Sequence, residues 1–282
     1  MARKYFVVVI LLSVIVFSSF AQNDSSSQNS DRNSIREIVR ETRGLYVQYG
    51  RTVNAATNYW EDEIRTGLIH GKYIDNRNNL HYLRIKYIFD RLLSSQRLIQ
   101  ELDKYNWRIY LQNSNEVNAF AALNGIIIIN RGIIEFCQND DELALIIGHE
   151  MAHMTQDHVI KRLATRIVMV SIIERLSSII ARIKNRATDT EEISDNEISD
   201  RELFQLIFGL AGELALLRYS RAQEVEADEI GAIYATGVGY DTHKGFDFWQ
   251  RMASISNNSR WLTFLSTHPF SEQRALTFLN GD

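Results

Sequence analysis

Only one cysteine, Cys137, occurs in the 282-residue chain, so no intrachain disulfide can form and stability must come from the core, a metal, or both. Proline occurs once, at Pro269, and long stretches repeat apolar residues at helical spacing; together these predict a mostly helical chain. There is no surplus of positive charge: 31 Lys and Arg stand against 35 Asp and Glu, for a net charge of −4, which gives no hint of nucleic-acid binding. No tandem helical repeat marks out a separate binding domain. No apolar run is long enough to span a bilayer either. The run from Tyr5 to Phe17 in "MARKYFVVVILLSVIVFSSFA" is shorter than the roughly 20 residues required. It follows Arg3 and Lys4 and ends in small residues at Ser19 and Ala21, which predicts a cleaved signal peptide over 1–21 and export to the periplasm. An uncleaved N-terminal anchor is the alternative. No cysteine closes the run, so a lipid anchor is not suggested.

Beyond the expected cleavage point, residues 22–33 are polar and serine-rich and read as a disordered leader. Helical patterns follow over Ser34–Gly50 and 81–102, and the stretch 34–100 is expected to pack on a catalytic domain at 101–282. "WRIYLQ" alternates as a strand does, and "EVNAFAALNG" with "IIIINRG" reads as two short strands around an Asn124–Gly125 turn. "DDELALIIGHEMAHMTQDH" reads as a helix capped by Asp140 or Asp141. The next helix, "VIKRLATRIVMVSIIERLSSIIARI", carries Lys161, Arg162, Arg166, Glu174 and Arg175, which argues against a membrane span; core packing is expected, with a membrane-surface or partner-binding role as the alternative. Residues 184–202 are polar and acidic and are expected to form a mobile loop. A long helical pattern then runs to Gly237 and Gly239, and "DTHKGFDFWQRMASI" starts another helix.

The chemistry concentrates at "HEMAH", residues 149–153. Two histidines four apart lie on one face of a helix, so both imidazoles can reach one metal ion. Glu150 can then stand beside a metal-bound water without being a ligand and take its proton. The apolar run Leu143–Ile147 embeds the helix. Two histidines do not complete a zinc site, and no third histidine follows at the close spacing that would supply one. His158 is five past His153, off the metal face, and reads as a helix-end structural histidine. Acids crowd "SRAQEVEAD" at 220–228. Glu224 and Asp228 share a helical face, while Glu226 points nearly the opposite way. A glutamate ligand with an aspartate one turn later makes chemical sense, because the aspartate can accept the free imidazole N–H of a ligating histidine. An ordinary solvated acidic face has the same composition.

"HEMAH" followed about seventy residues on by "SRAQEVEAD" resembles the zinc endopeptidases that include the HtpX, BepA, Oma-type and CAAX prenyl proteases. Their second motif reads S-R-x-x-E-x-x-A-D, and it maps onto Ser220, Arg221, Glu224, Ala227 and Asp228 without a gap. The resemblance therefore implies a His149, His153 and Glu224 site for one zinc ion, with Asp228 supporting a ligand. "VNAFAALNGIIIINRGII" resembles the family's edge strand, which in zincins pairs with the extended substrate, and Asn118, Ala119 and Phe120 are the candidates there. "STHPFSEQR" resembles the family's S/T-H-P…R segment, at His268, Pro269 and Arg274. His268 in this setting would stabilise the oxyanion, or would fill the open zinc position and hold the enzyme latent. Arg274 would be an outer partner of the site or of a substrate carbonyl. The integral-membrane relatives carry several spans and this chain shows none after residue 21, so the resemblance is to the soluble, exported branch.

The expected fold is α+β, mostly helical: a zincin-type (gluzincin) metallopeptidase domain with a small sheet beside the active-site helix. The expected activity is zinc-dependent hydrolysis of internal peptide bonds in protein or peptide substrates. The resemblance implies a role on misfolded or misassembled envelope proteins, with room for peripheral association with a membrane or with envelope assembly machinery. The rival is a zinc-containing chaperone-like or binding protein with little or latent protease activity.

Overall fold

The computed structural model describes residues 28–165 and 219–254, together with His268 and Arg274. The expected signal peptide and the acidic loop at 184–202 lie outside the described residues. The chain divides into two units, 1–55 with 163–207 and 56–162 with 208–282. The first holds, among the described residues, the N-terminal part of helix α1 (Gln28–Ile69) and the helical residues 163–165. Helix α1 starts ahead of the expected Ser34 and runs on past Gly50, where a Cβ would meet no atom within 4 Å, so that glycine only lowers propensity and does not end the helix.

In the second unit α1 (from Ala56) is followed by β1 (Tyr73–Ile74), α2 (Leu80–Leu93), a short α3 (Ile99–Leu102) and β2 (Arg108–Gln112). The helical pattern expected over 81–102 breaks at Ser94, whose hydroxyl and backbone N–H both turn back to the Arg91 carbonyl. Next come β3 (Ala119–Ala121), a 3₁₀ turn (Leu123–Gly125), β4 (Ile126–Asn130), α4 (Arg131–Phe136) and α5 (Asp140–Thr155). Residues 158–165 are helical, and α6 (Arg221–Thr236) and α7 (Lys244–Ser254) follow.

The sheet order is β1-β2-β4-β3: β2 and β4 are parallel, with Arg108 opposite Ile126, and the outer pairs are antiparallel. The β3–β4 turn takes Asn124 at φ 62° and Gly125 at φ 78°, the double positive φ that an Asn-Gly hairpin turn uses. Every residue of β4 is buried, as expected of a continuous Ile run in a central strand. At the sheet, Trp60 of α1 packs on Phe120, and Arg108 forks onto Glu61.

Helix α5 packs against β3, β4, α2, α6 and α7. Its residues Glu142 to Met154 are all buried, so this helix is enclosed on every side, its polar residues included, and has no solvent face along that stretch. The cap is Asn139, whose side chain accepts from the Glu142 N–H; the expected caps Asp140 and Asp141 fall one step inside, as acids of the first turn. The correction has a simple cause, since all three residues are good caps and extended backbone at Asn139 (φ −148°, ψ 178°) decides among them. Helix α6 opens with a reciprocal capping box between Ser220 and Gln223, which places Glu224 in the first turn. Helices α5 and α6 cross at two glycines. A Cβ on Gly148 would lie 2.8 Å from the Gly231 carbonyl oxygen, and one on Gly231 would lie 2.6 Å from the His149 nitrogen. No larger residue allows this approach, and it sets the His149 backbone against α6.

Candidate metal centre

His149 and His153 lie one turn apart on α5, and both turn their Nε2 atoms towards the same point, 3.0 Å from each other. Glu224 comes from the first turn of α6, with carboxylate oxygens 3.6 Å from His149 Nε2 and 3.5 Å from His153 Nε2. His268 brings Nδ1 to 3.2 Å from His149 Nε2 and 3.3 Å from Glu224 Oε1. The four donor atoms all lie within 4.8 Å of one another and all four residues are buried. Zinc bonds of about 2.0–2.1 Å in a tetrahedron separate neighbouring donors by about 3.3 Å. The separations of 3.0–3.6 Å lie close to that value, so these nitrogen and oxygen donors suit a cation of tetrahedral preference.

Each candidate ligand is held from behind. His149 Nδ1 is 2.8 Å from Asp228 Oδ1. Asp228 in turn receives a fork from Arg274, Nε to Oδ2 at 2.6 Å and Nη2 to Oδ1 at 2.8 Å. The third guanidinium nitrogen of Arg274, Nη1, is 2.6 Å from Glu224 Oε2, and the guanidinium stacks 4.0 Å from the Trp249 ring. Arg274 thus binds both carboxylates from outside the donor cluster. Burial alone would raise the Asp228 pKa, but Arg274 outweighs it and holds the carboxyl below its ordinary value. Glu224 is likewise held far down, where burial is overcome by His268 and Arg274.

The two histidines of "HEMAH" differ electrically. Burial works to lower both. At His149 the Asp228 carboxylate wins and the pKa is raised. At His153 burial, aided by His149, wins and the pKa falls well below the ordinary value, which keeps the imidazole neutral and its lone pair available.

Glu150 is fully buried and lies outside the donor cluster. Its Oε2 accepts the Ala121 N–H at 2.9 Å, and its Oε1 is 3.4 Å from His268 Nε2. Burial pushes its pKa up. The Ala121 contact ties the expected edge strand to the expected base. β3 pairs with β4 through Asn118, whose carbonyl accepts from Asn130, and through Ala122, whose N–H donates to Ile126. By antiparallel alternation Asn118 and Phe120 spend their backbone groups on β4, and Ala119 and Ala121 turn theirs away from it. Of Asn118, Ala119 and Phe120, only Ala119 turns its backbone groups away from β4, as does Ala121, whose N–H is given to Glu150. The motif located the strand but not its hydrogen-bonding parity. Ala119 and Ala121 are both buried.

Two residues beside the centre were missed. The Tyr219 ring stacks on His153, centroids 3.7 Å apart and planes within 9°, with the Arg162 guanidinium on its other face at 3.8 Å. Tyr219 sits just before the Ser220 cap, a position that carried no signal of its own. His158 is not among the donors, as expected, yet it is buried, with Nδ1 2.9 Å from His153 Nδ1 and Nε2 3.1 Å from Glu226 Oε2.

Residues 81–279 match the sequence model of Peptidase family M48. The chain belongs to that family. The M48 match takes in α2, which packs on β2 and α5, and so reaches further back than the expected start at 101. Among curated proteins, the mitochondrial metalloendopeptidase OMA1 of Bos taurus is 26% identical over 220 residues, covering 77% of this chain and 39% of the relative. The mitochondrial metalloendopeptidase OMA1 of Schizosaccharomyces pombe is 28% identical over 186 residues, 65% of this chain and 49% of the relative. The beta-barrel assembly-enhancing protease of Yersinia pestis is 26% identical over 176 residues, 60% and 33% respectively. The chain therefore spans between a third and a half of the length of these M48 relatives.

Proposed function

We propose that this chain is a zinc-dependent endopeptidase in which His149, His153 and Glu224 hold one zinc ion and Glu150 is the general base. The observation that carries this reading is the set of donor atoms converging at tetrahedral separations beside a buried carboxylate that is not one of them. A zinc ion held there would bring the pKa of a bound water to about 7 and polarise a scissile carbonyl. Glu150 takes the water's proton on Oε1, the oxygen not engaged by Ala121, and delivers it to the leaving amine. Its raised pKa suits a group that must hold a proton between those two steps. Asp228 and Arg274 keep His149 and Glu224 oriented throughout. An extended substrate pairs with Ala119 and with the carbonyl of Ala121 on β3, the Ala121 N–H being held by Glu150.

The fourth donor favours a latent form of this enzyme. His268 Nδ1 would complete a set of four protein donors around the ion and would keep water from the fourth position. A closed set of four is also the mark of a structural site, which is the rival reading. The isolated burial of Glu150 argues for the enzyme, because a purely structural site gains nothing from an extra carboxylate in a dry pocket. The substrates are misfolded or misassembled envelope proteins. This is supported by the similarity to a beta-barrel assembly-enhancing protease and by the export signal expected at 1–21. Among the described residues no helix is long and apolar enough to cross a membrane.

Metal analysis with casein cleavage tests the reading. Wild type should carry about one zinc, and Glu150→Gln should keep it while cleavage falls by roughly 100-fold or more. A Gln variant that cleaves casein like wild type removes Glu150 from the mechanism.

A further inference from the structure

Among the described residues, no carboxylate stands behind His153 as Asp228 stands behind His149. What stands at its Nδ1 is another imidazole, and the direction of every proton in that contact follows from the chemistry. To offer Nε2 as a donor to a cation, neutral His153 must carry its proton on Nδ1. That N–H points at His158 Nδ1, 2.9 Å away, so His158 Nδ1 must be the acceptor. His158 then carries its own proton on Nε2, which is 3.1 Å from Glu226 Oε2, a carboxylate that can accept it. Each group has one role available to it and the three roles agree.

We propose that His158 and Glu226 are positioning residues that fix the tautomer and orientation of His153 through the relay His153 Nδ1–H to His158 Nδ1 and His158 Nε2–H to Glu226. The proposal rests on the zinc site proposed above. It divides the supports of the two histidines by kind. His149 is held directly by a buried carboxylate that Arg274 neutralises. His153 is held by a fully buried neutral ring whose carboxylate partner has a half-exposed side chain and exchanges with solvent. The geometry arises at the end of α5: Asp157 takes φ 59°, and the chain reverses and brings His158 back against His153. Glu226 reaches the relay from α6, two residues past Glu224, on the side of that helix turned from the donor cluster. Tyr219, stacked flat on His153, prevents the ring from tilting but cannot choose its tautomer.

The test is zinc affinity by chelator competition on the full chain, with far-UV circular dichroism as the check on folding. His158→Ala should weaken zinc by about 10–100-fold, the range for losing an outer hydrogen-bond partner of a ligand. His158→Asn places an amide oxygen where Nδ1 was and should recover most of that loss, which a role in packing alone would not give. Glu226→Gln should weaken zinc by less than about tenfold in the wild-type background and have no effect in the His158→Asn background, because its influence passes through the His158 ring. Should His158→Ala prove misfolded, the comparison of Glu226→Gln in the two backgrounds decides alone. Wild-type affinity in folded His158→Ala, equal losses in the Ala and Asn variants, or a Glu226 effect that persists without His158 each overturns the relay. Failure of wild type itself to bind zinc would instead overturn the metal site, so the two failures are distinguishable.

Discussion

Glu150 is a carboxyl group whose surroundings favour its neutral form, and this has a measurable consequence for stability. Burial raises its pKa in the folded chain above the unfolded value of about 4.3. Between those two values the folded state binds more protons than the unfolded state, so stability falls as pH rises through that window. Gln cannot ionise and does not incur this loss. Metal-stripped Glu150→Gln should therefore melt higher than metal-stripped wild type at pH 7, by a few degrees, and the gap should close below about pH 4. A lower or equal melting temperature at pH 7 contradicts the placement of Glu150 in a dry pocket. Arg274 has the opposite sign. It is the partner of two buried carboxylates held below their ordinary values, so its stabilising contribution is present above about pH 4 and is lost as pH falls towards their folded pKa values. Arg274→Met leaves both charges buried without it and should cost about 3–5 kcal/mol in urea unfolding at pH 7. A loss under about 1 kcal/mol would show that the carboxylates find other partners. At this scale the candidate ligands were legible because the i, i+4 spacing of "HEMAH" and the S-R-x-x-E-x-x-A-D pattern are local. His158 was not. Helical arithmetic turns residue 158 away from residue 153, but α5 ends at Thr155 and the positive φ at Asp157 undoes the arithmetic.

Between elements, the decisive contact is the crossing of α5 and α6. The existence of both helices could be read from the chain, as could the Asn-Gly hairpin, since periodicity, caps and turn residues are local signals. The closeness of the crossing could not, because Gly148 and Gly231 are 83 positions apart and each alone looks like a mild helix weakener. Together they bring the His149 backbone within reach of α6, where Asp228 and Glu224 lie one and two turns before Gly231 on the same face. Gly231→Ala would put a methyl 2.6 Å from His149 N and 2.8 Å from Gly148 C, both backbone atoms that cannot swing aside. The helices must separate. The expected destabilisation is about 1–3 kcal/mol, the usual penalty for overpacking. The telling readout is zinc affinity, which should fall at least tenfold because the donors on α5 and α6 no longer share one centre. An Ala variant with wild-type zinc affinity would mean that donor spacing is set elsewhere.

Considered across the whole peptidase unit, the centre is closed. His149, Glu150, His153, Glu224 and His268 are all buried, and so are Ala119 and Ala121, the edge residues a substrate backbone must reach. The S/T-H-P segment offered His268 as either an oxyanion donor or a latency ligand, but the burial of β3 and of the whole donor set has no local signal in the sequence. On the latent reading proposed above, the four donors and the buried edge hold the protease off, and His268 is the group that must leave. Its Nε2 also lies 3.4 Å from Glu150 Oε1, so its departure frees the proposed base and the fourth donor position together. His268→Ala should therefore raise basal casein cleavage above wild type while loosening zinc only modestly, three donors with their Asp228, Arg274 and His158 supports remaining. The alternative role has the opposite sign, since loss of an oxyanion donor should lower the rate by roughly 100-fold or more. Adding Glu150→Gln to His268→Ala should abolish the increase, which ties it to the same catalytic centre and excludes a contaminating protease. If cleavage and zinc affinity both stay at wild-type levels in His268→Ala, neither role survives, and the closure must be held by the chain that covers β3.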